Sequence, residues 1–476
     1  MIEKIKPNWY LVAGIMLISL SHTSFSINFI AWFAYTPLLV YMLKTNGIKS
    51  RLILFGVLIV GWSLATAKII TPPLIYPFVF MYSVPIAIFH LPGFLLWDKL
   101  RNRRAGIFIF PLAMTLMEWI QYTFTPLASW GAAAYTQVDT PAIMQSLSLF
   151  GMPGLSFLIY WVNIAIAYFL VAKPQNLFTI KLLFIIVITV LIYGVVRINI
   201  YNFSHKETVT VAAVGTDSNV SGLPLPSKSI NKAVRDSLFS RTIRAAAFGA
   251  KLVVWNEAST FVLPTEELDW KHSVTKLCRD HKITLYAAYV IPVSQSPLKY
   301  KNKYLFVNSN GQIEYEYNKH EPVPGEPAIK GTEVLRVNQI EKTKVGGVIC
   351  YDYDFPYLAK KLRKLNADIV AVPSSDWKGI DPVHTKMAAF RSIEQGHSIV
   401  RSTRFGLSAA INPIGDMVAQ MSSYDKNNKI MVAQLPVNAV KTVYSMIGDF
   451  FIYLCAMFLA YLLFIAKNTK ESDVNK

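Results

Sequence analysis

The sequence predicts an integral membrane helical bundle of about eight transmembrane helices, joined to an extracytoplasmic α/β domain. Two observations lead to this fold class. First, 53% of the 476 residues are hydrophobic and only 16% are charged, whereas soluble proteins average about 25% charged residues. Second, long apolar runs fill residues 1–204 and return after residue 441, while the segment between them alternates short apolar strands with helical patterns.

Eight apolar runs approach the roughly 20 residues that a helix needs to cross a bilayer. The predicted spans are 9–26, 28–43, 51–70, 74–97, 105–124, 151–172, 181–201 and 443–466. Seven of them form a membrane domain over 1–204, and the eighth lies in the C-terminal segment 442–476 with its tail. The first run has the basic start and small-residue end of a signal peptide. Because a second run follows at once, we predict an uncleaved helix, with cleavage as the alternative.

Lys and Arg are concentrated in alternate loops of the predicted bundle. The basic loops hold Lys4 and Lys6; Lys44, Lys49 and Arg51; Lys99, Arg101, Arg103 and Arg104; Lys173 and Lys181; and Lys467, Lys470 and Lys476. The loop 125–150 contains no Lys or Arg. Because basic loops face the cytoplasm, both termini are predicted to be cytoplasmic. The protein is then a multi-pass membrane protein with residues 205–441 outside the cytoplasm, which is the periplasm if the cell is a bacterium with two membranes.

The segment 205–441 has the pattern of an α/β domain. Strands are predicted at 209–214, 252–254, 283–291, 303–308, 312–317, 345–349, 368–373, 398–402 and 407–412, and helices at 227–248, 265–281, 356–365 and 383–396. Asn310-Gly311 is a strong signal for the tight turn of a hairpin. This succession suits a layered α-β-β-α domain.

The stretch from Lys344 to Pro356 contains a candidate nucleophile. A short apolar run that includes Val345 and Ile349 predicts a buried strand, and Cys350 stands at its end. Enzymes with α/β folds place nucleophiles at such strand ends. The alternative is a packing role, since a free cysteine is often simply buried.

A carboxylate and an amine occur in comparable positions. Glu257 follows the predicted strand 252–254, and Lys319 follows the strand 312–317. Taken alone, each would most often be a solvated surface charge. Together with Cys350 they form a set in which the carboxylate accepts the thiol proton, the amine stabilises anionic charge, and the thiol attacks a carbonyl.

The order Glu257, Lys319, Cys350 resembles the Glu-Lys-Cys triad of the nitrilase (carbon-nitrogen hydrolase) superfamily, and within it the apolipoprotein N-acyltransferase family. Beyond the triad, the resemblance includes Ser375-Asp376-Trp377, Arg391 to Glu394, Val400 to Thr403, Tyr444 with Gly448-Asp449, Glu118-Trp119, Ala134 to Gln137, and Gly154 to Phe157. It therefore covers nearly the whole chain. It implies that the α/β domain is a nitrilase-like sandwich.

The resemblance also implies an activity. Cys350 would take a fatty acyl chain from a phospholipid as a thioester, and would pass it to the N-terminal amine of diacylglyceryl-cysteine in a bacterial lipoprotein. The expected partners are thus a phospholipid donor, a diacylglyceryl lipoprotein acceptor and the membrane. No cofactor is expected, because the thioester carries the activation between the two half-reactions.

Five further residues are candidates for supporting or substrate-binding roles: Glu326, Tyr351, Asp352, Asp376 and Trp377. Glu326 stands where the family has a second functional glutamate, although its loop is one residue shorter than is usual in the acyltransferases. Asp352 follows Tyr351 where those enzymes usually have Tyr-Glu, so the shorter carboxylate puts its role in question.

Other classes of function are less well supported. The net charge of +18 is not arranged in one stripe, so no nucleic-acid partner is predicted. His320, His384 and His397 lack the spacing of zinc ligands, so no metal is predicted. Three cysteines are too few for a disulfide framework, and Cys278 and Cys455 are interpreted as packing residues. Two alternatives remain: a membrane-anchored nitrilase-type amidase or hydrolase, and a catalytically silent lipoprotein-binding scaffold.

Overall fold

The computed structural model describes residues 6–103, 105–171, 177–204, 206–216, 225–425 and 427–474. The chain divides into two compact units, one formed by Met1–Asn202 with Met446–Lys476, and the other by Phe203–Ser445. Of the basic loop residues that predict the orientation, Lys4, Arg104, Lys173 and Lys476 lie outside the described residues.

The first unit is a bundle of apolar helices. Its helices before the α/β unit are α1 (Pro7–Ser21), α2 (Thr36–Lys44), α3 (Ile48–Ala67), α4 (Phe78–Leu100), α5 (Gly106–Phe124), α6 (Pro141–Met144), α7 (Leu147–Val171) and α8 (Leu177–Phe203). Among the described residues, six helices are long and apolar enough to cross a membrane, namely α3, α4, α5, α7, most of α8, and the C-terminal segment Phe450–Lys467. The predicted membrane bundle is confirmed.

The first two predicted spans differ in detail from the structure. The first is the 15-residue helix α1, and the second is a 3-10 helix, Asn28–Phe33, followed by the nine-residue α2. Asn163 of α7 explains the break. Its side-chain oxygen accepts the backbone N–H groups of Tyr35 and Thr36 at 2.8 and 3.1 Å, and its amide donates to Ala31 O at 2.9 Å. These bonds satisfy backbone groups at the junction that a continuous helix would pair internally.

Glu118 of α5 is buried inside the bundle. Its carboxylate accepts the backbone N–H of Ala133 at 2.7 Å and the hydroxyl of Tyr160. Ala133 begins the 3-10 helix Ala133–Gln137. A carboxylate at that position pairs with a helix N-terminus, so the contacts give Glu118 a structural role.

The described residues of the second unit contain twelve strands and four further helices in chain order. They are β1 (Thr208–Val214), α9 (Lys228–Ala247), β2 (Leu252–Trp255), α10 (Glu267–His281), β3 (Thr284–Gln295), β4 (Leu298–Val307), β5 (Ile313–Asn318), β6 (Val337–Ile340), β7 (Thr343–Gly347), α11 (Pro356–Lys364), β8 (Ile369–Ser375), α12 (Val383–Gln395), β9 (Ser398–Arg404), β10 (Leu407–Ile411), β11 (Met417–Ser422) and β12 (Ile430–Pro436). The chain then continues into α13 (Val443–Ile447) and α14 (Phe450–Val474).

The strands form two six-stranded sheets, with orders β12-β1-β2-β3-β4-β5 and β11-β10-β9-β8-β7-β6. In each sheet the central three strands, β1-β2-β3 and β7-β8-β9, are parallel, and the outer pairs are antiparallel. Helices α9 and α10 pack on the first sheet, where Leu238, Val274 and Leu285 share one core. Helix α12 packs against β9 and β10 of the second sheet. The predicted α-β-β-α sandwich is confirmed.

The two sheets approach closely at Gly347, the last residue of β7. A Cβ atom at this glycine would lie 2.4 Å from Cε1 of Tyr286, closer than real Cβ contacts come. The hydroxyl of Tyr304 also crosses between the sheets and donates to Gly347 O at 2.9 Å. This contact fixes the end of β7, and the segment that contains Cys350 follows directly.

Candidate active site

Cys350 occupies a strained turn at the start of a 3-10 helix, Cys350–Asp354. Its φ of +49° lies in the left-handed region, which residues other than glycine seldom adopt. The residue is only 2% exposed, and its thiol donates a hydrogen bond to Ser375 O at an Sγ–O distance of 3.6 Å. Such strain persists only where surrounding contacts enforce it, and it is concentrated at functional sites.

Lys319 follows β5 and bridges two carboxylates. Its Nζ lies 2.8 Å from Oε1 of Glu257 and 2.7 Å from Oε2 of Glu326. Burial alone would lower the pKa of Lys319, but Glu257 and Glu326 outweigh it and raise that pKa well above its usual value. The amine therefore remains an ammonium group. It is held in one position between two ionisable partners.

Glu257 lies just past the end of β2. Besides the bond from Lys319, its Oε1 accepts a bond from Nδ2 of Asn302 at 2.7 Å. Its backbone N–H donates to Ser374 O at 3.2 Å, which ties the end of β2 to β8 of the other sheet.

Glu326 is held in place within the Pro-rich loop after Lys319. Its Oε2 accepts the backbone N–H of Val323 at 2.9 Å, and its Oε1 accepts bonds from Asn302 at 3.1 Å and from the hydroxyl of Tyr300 at 3.4 Å. Burial would raise the pKa of Glu326, but Lys319 and these donors lower it below its usual value. The structure thus places Glu326 beside Lys319 as a second carboxylate.

Asn302 was missed by the sequence reasoning. It lies on β4 and donates to both Glu257 and Glu326, so it fixes the two carboxylates on either side of Lys319. The signal that could have identified Asn302 is the register of the β4–β5 hairpin, which places it beside Lys319. β4 pairs antiparallel with β5, Lys303 lies opposite Asn318, and Lys319 N donates to Asn302 O at 2.8 Å.

Asp352 connects the nucleophile turn to the loop after Lys319. Its Oδ1 accepts the N–H of Glu321 at 2.6 Å, and its Oδ2 accepts the N–H of Ile349 at 3.0 Å and the hydroxyl of Tyr317 at 2.8 Å. Burial raises the pKa of Asp352 to about 7, although these donors favour the ionised form. The shorter carboxylate at this position therefore reaches all three groups.

Tyr351 and Trp377 directly follow Cys350 and Asp376 in the chain. Tyr351 is buried, and its ring packs edge-on against Phe355 at a centroid distance of 5.5 Å. Trp377 is half-buried, and its carbonyl accepts the N–H of Ile380 at 3.0 Å. Their positions beside Cys350 and Asp376 in the chain leave substrate contact as their predicted role.

Asp376 belongs to a buried ionic network with His384, Arg401 and Asp354, here called the His384 network. Its Oδ1 lies 2.7 Å from Nδ1 of His384 and 3.0 Å from Nη2 of Arg401, and Nε2 of His384 lies 3.0 Å from Oδ1 of Asp354. Burial would lower the pKa of His384, but Asp354 and Asp376 raise it to about 9. The imidazole is therefore a cation between two carboxylates.

The same network brings three metal-binding side-chain types together. Ligand atoms of Cys350, Asp376 and His384 lie within 4.8 Å of one another, a grouping that the sequence analysis did not foresee. However, Nη2 of Arg401 lies 2.8 Å from Nδ1 of His384 and also contacts Asp376. A fixed guanidinium at this point repels a cation and already neutralises the carboxylate. We therefore interpret the cluster as an ion-pair network.

The thiol of Cys350 experiences opposing charges. Burial raises its pKa well above the usual value, and Glu257 raises it further, whereas Lys319 and Arg401 lower it. The resting thiol is therefore neutral and needs a base for attack. Cys278 has a pKa raised to about 12 by burial, and it lies in the core under the first sheet. Cys278, Cys350 and Cys455 are all free.

Arg404 is a further buried cation near the triad that the sequence analysis missed. Its Nε and Nη2 donate to the hydroxyl of Ser375 at 3.1 and 2.9 Å. Burial lowers the pKa of Arg404, and Glu257 and Cys350 act against this shift. Its place at the last residue of β9 next to a turn gave no sequence signal of burial.

Several predicted features lie away from the triad. His320 lies 3.9 Å from Glu333, and His397 pairs with the hydroxyl of Tyr353, so neither belongs to the His384 network. Arg391 and Glu394 form a fully buried ion pair at 2.8 Å, in the structural role that their helical spacing predicts.

Comparison with known proteins identifies both halves of the chain. The family profile described as the apolipoprotein N-acyltransferase N-terminal domain matches residues 13–165, and the carbon-nitrogen hydrolase profile matches residues 210–444. The apolipoprotein N-acyltransferase of Borreliella burgdorferi is 24% identical in an alignment that covers 92% of this chain and 90% of that protein. The probable hydrolase nit2 of Schizosaccharomyces pombe is 28% identical over 49% of this chain and 94% of its own length.

Among solved structures, the crystal structure of an amidase from Nesterenkonia sp. aligns at 16% identity with a TM-score of 0.40 and covers 49% of this chain and 93% of that chain. The two family profiles occur in the order of the membrane helices and the α/β domain. The relative in Borreliella burgdorferi matches across both halves. The chain therefore belongs to the apolipoprotein N-acyltransferase family, within the carbon-nitrogen hydrolase (nitrilase) superfamily.

Proposed function

We propose that this enzyme transfers a fatty acyl chain from a phospholipid, through a thioester on Cys350, to the N-terminal amine of diacylglyceryl-cysteine in bacterial lipoproteins. The observation that carries the proposal is the buried pair of Lys319 with Glu257, at 2.8 Å, beside a strained and buried thiol. The membrane helices fit substrates that are anchored in a bilayer by their acyl chains.

The first half-reaction forms the thioester. Glu257 accepts the proton of Cys350 as the sulfur attacks the ester carbonyl of the phospholipid, and the S–C bond forms. Lys319, with the backbone N–H after Cys350, stabilises the negative oxygen of the tetrahedral intermediate. When the C–O bond breaks, Glu257 returns the proton to the leaving oxygen and lysophospholipid departs.

The second half-reaction uses the same groups in reverse. The neutral α-amine of the acceptor attacks the thioester carbonyl, the N–C bond forms, and Glu257 accepts one amine proton. The C–S bond then breaks, and the proton returns to the Cys350 thiolate. Glu326 and Asn302 hold the ammonium of Lys319 and the carboxylate of Glu257 in register throughout, because each of them bonds to a member of that pair.

The alternative of a membrane-anchored hydrolase is favoured by one feature, the shortened loop between Lys319 and Glu326. A transfer assay separates the two activities. Purified protein in detergent is incubated with a phospholipid and a diacylglyceryl-cysteine peptide, and the products are identified by mass spectrometry. We expect an N-acyl peptide and lysophospholipid in equal amounts. Free fatty acid with no N-acyl peptide would favour the hydrolase.

We further propose that the protein is a multi-pass protein of the bacterial inner membrane, with the α/β unit in the periplasm and both termini in the cytoplasm. The support is the concentration of Lys and Arg in alternate loops, for example at Arg51 and at Lys99 to Arg103.

A topology reporter tests this orientation. A phosphatase that is active only outside the cytoplasm, inserted at the Asn310-Gly311 turn, should be active, and the same phosphatase fused after Lys476 should be inactive. A fluorescent protein that matures only in the cytoplasm serves as the reciprocal control. Phosphatase activity at the C-terminal fusion would contradict the proposed orientation.

A further inference from the structure

Of the two carboxylate oxygens of Asp376, Oδ1 accepts hydrogen bonds and Oδ2 accepts none from the described residues. Oδ1 receives His384 at 2.7 Å and Arg401 at 3.0 Å. Oδ2 is buried and has no hydrogen-bond partner among the described residues. Burial would raise the pKa of Asp376, but His384 and Arg401 lower it below its usual value, so the group is ionised. A buried, ionised oxygen without a donor is costly and requires an explanation.

The position of this carboxylate is fixed next to the nucleophile. A carboxylate oxygen of Asp376 lies within 4.8 Å of Sγ of Cys350. The backbone N–H of Asp376 donates to Arg404 O at 2.8 Å, and the preceding carbonyl, that of Ser375, accepts the Cys350 thiol at 3.6 Å. These contacts fix the backbone at Asp376, and His384 and Arg401 hold its carboxylate.

The backbone of Gly406 packs closely against the unpaired oxygen of Asp376. A Cβ atom at this position would lie 2.7 Å from Oδ2 of Asp376 and 2.9 Å from its Cβ, which is too close for an ordinary contact. Any side chain here would occupy the flank of the oxygen. A residue without a side chain is therefore needed for the backbone to approach the carboxylate this closely.

We propose that Oδ2 of Asp376 binds the α-amine of the acceptor during the second half-reaction and directs its lone pair at the thioester on Cys350. This inference rests on the proposed function. The missing partner of Oδ2 must be a hydrogen-bond donor, and an amine is a donor that the first half-reaction lacks. Reacting atoms meet at about 3–3.5 Å, so an amine at the carbonyl attached to Sγ lies within reach of this carboxylate.

Asp376 and Glu257 have different roles in the proposed proton transfers. As the amine attacks, one N–H proton passes to Glu257, and a second N–H remains bonded to Oδ2 of Asp376. The N–C bond forms, the C–S bond breaks, and the Cys350 thiolate regains its proton from Glu257. Asp376 takes no proton, so it acts as a substrate-binding group and a determinant of acceptor position.

Two substitutions test this role by different routes. Asp376→Asn presents an amide N–H where the free oxygen was, and so repels the amine. Gly406→Ala keeps the charge but fills the flank of Oδ2. Asp354→Asn is the matched control, because it breaks the same His384 network on its other side and leaves Oδ2 unchanged.

The experiment measures the half-reactions separately. Each variant is incubated with phospholipid alone, the Cys350 thioester is quantified by intact mass, and its discharge is followed after mixing with a diacylglyceryl-cysteine peptide. For Asp376→Asn and Gly406→Ala we expect loading within about threefold of the unmodified enzyme and discharge by the peptide slowed by about tenfold or more, with an increased KM for the peptide. Discharge by water should not change.

Three outcomes would overturn the inference. Discharge by the peptide at the normal rate in Asp376→Asn would show that Oδ2 does not bind the amine. If Asp376→Asn and Asp354→Asn reduced loading and discharge equally, Asp376 would have only a structural role in the His384 network. Absence of any thioester on the unmodified enzyme would remove the proposed function, and the inference with it.

Discussion

Replacement of Cys350 by alanine should abolish acyl transfer and leave the fold intact. Without the thiol no covalent intermediate forms, so both half-reactions lose their common step. The loss of one buried sulfur atom should lower the free energy of unfolding by about 1–3 kcal/mol. The measurement is the initial rate of N-acyl peptide formation, together with the thermal midpoint of the purified variant in detergent.

Cys278→Ala is the matched control for this substitution. Cys278 is also buried and free, but it lies in the core of the first sheet with Trp255 and Val274 and away from the charged groups. We expect a similar small loss of stability and nearly full activity. Normal turnover in Cys350→Ala, or abolished turnover in folded Cys278→Ala, would contradict the assignment of the nucleophile.

The second large effect is expected from Glu257→Gln. Glutamine can still accept the bonds from Lys319 and Asn302 at Oε1, so the position of the ammonium is retained. It cannot take the thiol proton, however, and burial keeps the pKa of Cys350 well above its usual value. Loss of the general base should lower the rate of thioester formation by about 10²–10⁴-fold. Intact-mass analysis of the enzyme after rapid mixing with phospholipid measures this rate.

Glu326→Gln is the equivalent substitution on the other side of Lys319. It removes one charge. Its single carbonyl oxygen can keep either the bonds that Oε2 accepts from Val323 N and Lys319 or the bond that Oε1 accepts from Asn302. Because Glu326 is not the proposed base, we expect a smaller loss, of about tenfold. If Glu326→Gln lowered the rate of thioester formation more than Glu257→Gln, Glu326 and not Glu257 would be the base.

The membrane bundle shows what a hydrophobic pattern can and cannot predict. Apolar runs located the long helices, because burial in lipid or in protein depends mainly on local composition. The break between Asn28–Phe33 and α2 could not be predicted in this way. It depends on Asn163, which is 127 residues from Thr36 in the chain and meets it only after the helices pack.

In the sandwich, too, local patterns could be predicted and contacts between distant parts of the chain could not. Strands with a strong local apolar pattern, such as β2 and β8, were predicted, and the pairing of β12 with β1 was not. That pair joins Thr208 to Pro436, at opposite ends of the unit. β11 was also missed, because its residues are mostly half-exposed and lack a continuous apolar run.

At the site, strand ends predicted where Glu257, Lys319 and Cys350 would lie, and the fold brings Glu257 and Lys319 into contact. The groups that position them were harder to find. Asn302 depends on hairpin register, and the His384 network joins residues from three separate elements. The positive φ of Cys350 has no sequence signal, because it is imposed by contacts such as that of Asp352 with Ile349.

Intact-mass analysis of the unmodified enzyme incubated with phospholipid alone tests the central claim, that Cys350 carries the acyl group, most directly. The account predicts an added fatty-acyl mass on Cys350 that neutral hydroxylamine removes and that a diacylglyceryl-cysteine peptide discharges rapidly, to give the N-acyl peptide. Slow discharge in water alone should leave most of the thioester intact on the same timescale. Absence of the adduct, or its discharge to free fatty acid at the same rate with or without the peptide, would contradict the account.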